Sequence, residues 1–167
     1  MTPKQRVLYS AVAVVTGVAA YSANLLVNVA LKEDYRGQAY PDPATKGAPW
    51  TLGFGETKGV RQGDRTTPTR ALVRLKESLD QYAVGVAGCV HVPLSQGEFD
   101  ASVSLAYNIG VGGYCGGSVA RRFNAGDYLG GCLAILAYNK ARIGGKLQFM
   151  RGLHNRRWDE YNTCIGG

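Results

Sequence analysis

Three residues at even intervals carry groups suited to acid-assisted bond cleavage: Glu33, Asp42 and Thr51, each nine positions after the one before. Splitting a glycosidic bond takes one carboxylic acid to protonate the leaving oxygen and a second group to manage water or the developing positive charge. Glu33 lies just beyond an uncharged apolar run, where its carboxyl is expected to be partly desolvated, which makes it the candidate acid. Asp42 stands between Pro41 and Pro43 in a rigid, solvent-reachable turn and is the candidate charged partner. The intervening segment has the composition to fold back as a strand and turn, bringing the two across a cleft. Spacing alone does not establish such a site, because acidic residues in loops are usually just solvated.

Positioning falls to the flanking elements. Lys32 to Gly63 is rich in Gly, Pro, Asp, Thr and aromatics. Its short runs around Gln38–Tyr40 and Trp50–Phe54 read as strands separated by Pro41-Asp42-Pro43 and Lys46-Gly47. A long helix is expected from Thr67, with Thr67 as cap, Pro68 in the first position, Leu72, Leu75, Leu79 and Tyr82 at helical spacing, and an end near Gly85 and Gly88. Ser95-Gln96-Gly97-Glu98 has the capping-box pattern and opens another helix, with Phe99, Val103 and Ala106 or Tyr107 as its buried stripe. Gly110 to Gly117 reads as a glycine-rich loop. A short helix from Ser118, a longer one from Asp127 to Lys140 and a last one from about Leu153 to Cys164 follow, with a break at Gly144-Gly145.

The N-terminus has its own character. Lys4 and Arg6 precede Val7 to Leu31, 25 residues without a charge. That length spans a hydrocarbon core of roughly 30 Å, and the preceding cations favour a cytoplasmic N-terminus. Ser10, Thr16, Gly17, Ser22, Asn24 and Asn28 make the run only weakly apolar, so its membrane residence is marginal. A cleavable signal peptide, with small residues at Val18-Ala19-Ala20, and a buried helix are the alternatives. The net charge of +7 favours a polyanionic partner, whether nucleic acid, an anionic membrane or an acidic wall. No nucleic-acid recognition motif accompanies it. Gly112-Gly113 and Gly116-Gly117 lack the Lys-Ser/Thr ending of a phosphate loop.

Glu33-Asp34-Tyr35-Arg36, Tyr40-Pro41-Asp42-Pro43 and Pro49-Trp50-Thr51-Leu52-Gly53-Phe54-Gly55 together resemble the catalytic segment of phage-type lysozymes, family 24 of the glycoside hydrolases. The resemblance continues through Thr57-Lys58-Gly59-Val60, Gly63-Asp64, the stretch from Leu94 to Gly110, Asn124 to Tyr128, Gly144-Gly145-Lys146, Gly152-Leu153, Arg156-Arg157 and Glu160, covering residues 33–164. Two departures stand out: the interval from Asp42 to Thr51 is longer than the family's shortest form, and Glu56 follows Gly55 where many relatives carry His.

The resemblance implies an α+β, mostly helical, lysozyme-like fold with a small β lobe, a larger helical lobe and a cleft between them. It implies hydrolysis of the β-1,4 bond between N-acetylmuramic acid and N-acetylglucosamine with inversion, Glu33 as general acid, Asp42 stabilising positive charge and Thr51 holding the attacking water. No metal or cofactor is implied, and the partners would be peptidoglycan glycan strands and, before release, the host inner membrane, for a monomer that ends in the periplasm. Within the family, the apolar run suggests the signal-arrest-release endolysins, with residues 1–31 as the membrane segment, 32–67 as the β-containing lobe and 68–167 as the connecting helix and helical lobe. Trp50, Tyr107 and Asn108 are candidates for sugar contacts, although a strand aromatic is more often core. Arg156 and Arg157 either fix the cleft carboxylates or make structural salt bridges. A lytic transglycosylase and a non-catalytic, membrane-tethered wall-binding protein are the competing readings.

Cys89, Cys115, Cys132 and Cys164 include no CxxC pair and, with two histidines, do not suggest zinc. Four cysteines allow three pairings, and disulfides would place the folded part outside the cytoplasm. The expected pairs are Cys115–Cys132, joining the glycine-rich loop to a nearby helix, and Cys89–Cys164, tying the connecting helix to the last one.

Overall fold

A computed structural model of the chain describes residues 21–33, 35–41 and 47–166. The described chain is mostly helical with two small antiparallel sheets, in the order α1 (Ala23–Lys32), β1 (Arg36–Pro41), β2 (Trp50–Gly53), α2 (Pro68–Cys89), α3 (Gln96–Ile109), α4 (Val111–Cys115), α5 (Ser118–Asn124), α6 (Tyr128–Ile135), β3 (Lys140–Ile143), β4 (Lys146–Phe149) and α7 (Arg151–Gly166). Two compact units divide inside α2: one is Ala23–Gln81, and the other holds Ser22 and the chain from Tyr82.

In the first unit, α1 buries Leu25 and Val29, one helical turn apart, and leaves Val27 and Leu31 exposed. Burying each of these two side chains contributes about 1.5–3 kcal/mol. Lys32 in the last turn suits the negative end of the helix dipole. β1 and β2 pair with Tyr40 opposite Thr51 and Pro41 opposite Trp50, with a register irregularity between Arg36 and Tyr40. The chain just before α2 extends the sheet: Ala39 N donates to Asp64 O (2.9 Å) and Thr66 N to Gly37 O (3.0 Å). At the end of β2, Gly53 has φ +66°, and a Cβ there would stand 2.9 Å from the Cβ of Ala71 on α2. Glycine is therefore required both by backbone conformation and by the close approach of the helix. Ala71, Leu75, Leu79, Ala83 and Val86 form the buried stripe of α2. The helix runs through Gly85 and ends at Cys89, one residue past Gly88, near which its end was expected.

The second unit is built around α3. Ser95 caps it in a reciprocal capping box with Glu98, as its sequence predicts. Of the expected stripe Val103 and Ala106 are buried, within a run in which Ala101 through Ala106 are all buried, whereas Phe99 and Tyr107 are half-buried. The glycines at 110–117 do not form an open loop: Val111–Cys115 is a helical turn, α4. Gly85 explains its position, since a Cβ on Gly85 would lie 2.6 Å from a methyl of Val111, so the missing side chain lets α4 lie against the last turns of α2. Helix α6 is shorter than expected, ending at Ile135; the residues after it form the β3–β4 hairpin around Gly144-Gly145.

The disulfides differ from the expected pairs. Cys89 joins Cys115 and Cys132 joins Cys164, each with Cα atoms 5.7 Å apart. The physical reason is α4: coiling of the glycine-rich stretch brings Cys115 back onto the end of α2, where its sulfur also approaches the carbonyl of Gly85. Cys132 on α6 is then left to meet Cys164 on α7, both buried.

No helix among the described residues is long and apolar enough to cross a membrane. Most of the expected membrane run lies outside the described residues. Its described end holds Ser22, whose amide donates to Asp100 Oδ1 (2.9 Å) and whose hydroxyl bonds Asp100 Oδ2, followed by α1.

Candidate active site

Glu33 stands at the C-terminal end of α1. Its amide still donates to Val29 O (3.1 Å), so the helical hydrogen-bond pattern carries on to the residue itself, and its side chain is half-buried. An anchored apolar helix whose last turn delivers a carboxyl is a rigid mount for a reacting group. Thr51, also half-buried, sits on β2 opposite Tyr40, in the same unit as Glu33. Strand pairing fixes its backbone from one side, and a turn with reciprocal bonds between Leu52 and Glu56 (2.9 and 3.0 Å) fixes the strand's exit. Asp42 lies outside the described residues, one position after the end of β1. Trp50 is half-buried opposite Pro41.

Tyr107 and Asn108 belong to the other unit, in the last turn of α3. Tyr107 meets Tyr82 edge-on with ring centroids 5.3 Å apart. The Asn108 carbonyl oxygen accepts from Arg157 Nη2 (3.1 Å), a bond that orients its side chain from within its own unit. Arg157 is fully buried and faces Glu160: Nη2 donates to Oε1 (3.2 Å), while Nε lies 2.9 Å from Oε2 as an ion pair rather than a directed hydrogen bond. Ser104 Oγ donates to the same carboxylate (2.7 Å), and Arg156 Nε lies 3.3 Å from it. Burial pulls the Arg157 guanidinium below its ordinary range, and the charge of Glu160 opposes that shift. Of the two roles weighed for this arginine pair, a structural salt bridge is what these contacts form. Its signal was present in the sequence as two arginines three and four residues before a glutamate on one helix.

A groove of about 480 Å³ beside Leu52 of β2 escaped the sequence reading; Asp64, Arg65, Thr66, Arg70 and Arg74 are among its lining residues. All of its lining except Leu52 comes from the one stretch Asp64 to Glu77, which carries both basic and acidic side chains. No group of three or more potential metal-ligating side chains occurs among the described residues.

The family model described as phage lysozyme matches residues 30–160, a span that takes in Glu33, Asp42, Thr51 and Glu160. A SAR-endolysin of Pseudomonas phage phiKMV is 36% identical over 148 residues, covering 88% of this chain and 89% of that protein. Among solved structures, an endolysin from Escherichia coli O157:H7 phage FAHEc1 superposes with a TM-score of 0.80 at 31% identity, covering 87% of this chain and 93% of that one. The muramidase domain of SpmX from Asticaccaulis excentricus gives a TM-score of 0.81 at 30% identity, covering 87% of this chain and 97% of that one. A family model that matches most of the chain, and a relative 36% identical over nearly its whole length, place the chain in the phage lysozyme family.

Proposed function

We propose that the chain is an endolysin, a muramidase that hydrolyses the β-1,4 bond between N-acetylmuramic acid and N-acetylglucosamine in peptidoglycan during host cell lysis. The observation that carries this reading is the family match across residues 30–160, with Glu33 mounted at the end of α1. Glu33 gives its proton to the leaving glycosidic oxygen. Asp42 stabilises positive charge at the sugar ring, and Thr51 hydrogen-bonds the water that attacks the opposite face, which inverts the configuration. Trp50, Tyr107 and Asn108 contact the glycan. The protein acts as a monomer without a cofactor.

Its N-terminal segment first holds it in the inner membrane with the body outside, and release into the periplasm activates it. Three facts support this part of the proposal: the marginal hydropathy of Val7–Leu31, the likeness to a SAR-endolysin, and the packing of that run's last residues as α1 with Leu25 and Val29 buried.

Turbidity clearing of purified peptidoglycan by full-length wild type and Glu33→Gln tests the assignment. The amide keeps the shape but supplies no proton, so turnover falls by roughly 10²–10⁴ while the circular dichroism is unchanged. A folded variant with wild-type turnover overturns the catalytic reading. Product ends separate the competing chemistry: reducing ends belong to a hydrolase, anhydromuramic ends to a transglycosylase.

A further inference from the structure

The β3–β4 hairpin carries large apolar side chains into solvent. Its strands pair Lys140 with Phe149, Ala141 with Gln148, Arg142 with Leu147 and Ile143 with Lys146. Directly paired residues share a sheet face, so Lys140, Arg142, Leu147 and Phe149 lie together on one side. All four are exposed, Leu147 to 64% and Phe149 to 56%. Ile143, 46% exposed, and Lys146 stand on the other side near the tip. Gly144 and Gly145 both have positive φ, as a two-residue turn matched to strand twist requires. Met150 N donates to Asn139 O (3.0 Å) and closes the base. A ring series continues from the hairpin along α7: Phe149 to His154 (5.4 Å), His154 to Trp158 (6.3 Å) and Trp158 to Tyr161 (5.6 Å).

The charge around these apolar groups has one sign. From Tyr128 through Trp158 the sequence contains no Asp or Glu, while Lys140, Arg142, Lys146 and Arg151 cluster at the hairpin. Among the described residues, none of these four cations pairs with a carboxylate. Contiguous apolar surface rimmed by polar groups marks interaction sites, and an open strand edge invites unwanted pairing unless cations blunt it. A second copy of the chain would bring the same cations face to face. A glycan strand offers no apolar phase in which Leu147 and Phe149 bury. An anionic bilayer satisfies both halves of the surface, with headgroups for the cations, acyl chains for the apolar tips and an interface for Trp158.

We propose that the β3–β4 hairpin is a docking element for anionic lipid bilayers, distinct from the N-terminal segment and independent of the hydrolytic site. The full-length chain with Trp50→Phe keeps Trp158 as its one tryptophan. Its emission is measured with vesicles of brominated phosphatidylcholine, alone or mixed with phosphatidylglycerol. Quenching of Trp158 is expected with the anionic vesicles and to weaken as salt rises. Adding Leu147→Ser with Phe149→Ser, or Lys140→Glu with Lys146→Glu, raises the lipid concentration for half-quenching by about tenfold. Every protein compared carries the same N-terminal segment, so the difference reports the hairpin, and exposed positions leave the circular dichroism unchanged. Equal quenching by neutral and anionic vesicles, or unaltered quenching in both double variants, overturns the proposal. It is likewise overturned if the variants lose binding to purified peptidoglycan but keep binding to vesicles, which would assign the hairpin to the wall.

Discussion

Glu160 is 3% exposed, and its carboxylate receives Ser104 and both neighbouring arginines of α7. Neutralising it leaves the fully buried Arg157 charge without its counter-ion, a loss that typically costs about 3–5 kcal/mol. Glu160→Gln is accordingly expected to lower unfolding free energy by that amount in urea titrations, with no residual activity effect once the folded fraction is restored at low temperature. A fall under about 1 kcal/mol would mean that the ion pair is balanced by its own desolvation. This residue contrasts with Glu33 in how it was read. The elements that carry Glu33 and Thr51 were legible because local pattern announces them: an apolar run ending in Lys32-Glu33, and a short strand bounded by turn residues. The binding of Arg157 to Asn108 joins positions 49 apart, and no spacing rule in the sequence connects them. Asp42 remains a sequence-based assignment within the proposed mechanism, and Asp42→Ala should reduce wall clearing as severely as Glu33→Gln if it stabilises the sugar cation.

Elements with their own start signals were read most fully. Ser95 and Glu98 announce α3, and Pro68 announces α2, because caps and first-turn prolines are satisfied by residues within a few positions. Helix α4 was missed because glycine content argues for a loop, whereas its packing against Gly85 comes from a residue about a helix-turn-helix away in sequence. The cysteine pairing was misread with it. Cys132→Ser with Cys164→Ser should destabilise by about 3–4 kcal/mol, since the bridge closes a separation of 32 residues, and non-reducing peptide maps should retain Cys89–Cys115. Helix α6 adds a pH-dependent contribution. Asp127 caps it, accepting from Gly130 N (2.9 Å), and pairs with Arg122. The Arg122 hydrogen bond, then that of Gly130, holds its carboxyl below the usual range. A depressed carboxyl contributes stability above its unfolded pKa and loses it as pH falls through the folded value. The stability gap between wild type and Asp127→Ala should therefore be full at neutral pH and close in acid below the ordinary carboxylate range; a gap that persists there would show that the charge is not what caps the helix.

At the scale of the whole molecule, the proposed activation is a competition between two environments for one stretch of chain. In the membrane, the gain from inserting Val7–Leu31 is reduced by its Ser, Thr, Gly and Asn residues. In the folded body, the same stretch gains the burial of Leu25 and Val29 and two hydrogen bonds from Ser22 to Asp100. Asp100 is itself buried and also accepts from Gln96 Nε2 (2.9 Å), so Ser22 is not the sole group that holds it. Hydrogen bonds to a charged group contribute about 1.5–3 kcal/mol each, enough to shift a marginal partition by an order of magnitude or more. Two sets of substitutions should push this balance the same way by opposite means. Leucine at Gly17, which lies outside the described residues, and at Ser22 and Asn24 strengthens the membrane side. Asp100→Ala weakens the soluble side without touching the segment. Both are expected to reduce the fraction of full-length protein found in the soluble periplasmic extract after membrane depolarisation and to delay lysis, Asp100→Ala by several-fold. Ser22→Ala, which removes the hydroxyl bond and keeps the amide bond, should fall between Asp100→Ala and wild type. Thermal unfolding of the released fraction separates a docking defect from a general loss of fold. If Asp100→Ala is released as completely as wild type while the leucine variant is retained, the segment leaves the bilayer without help from the body, and the Ser22–Asp100 contact forms only after the membrane has already let go.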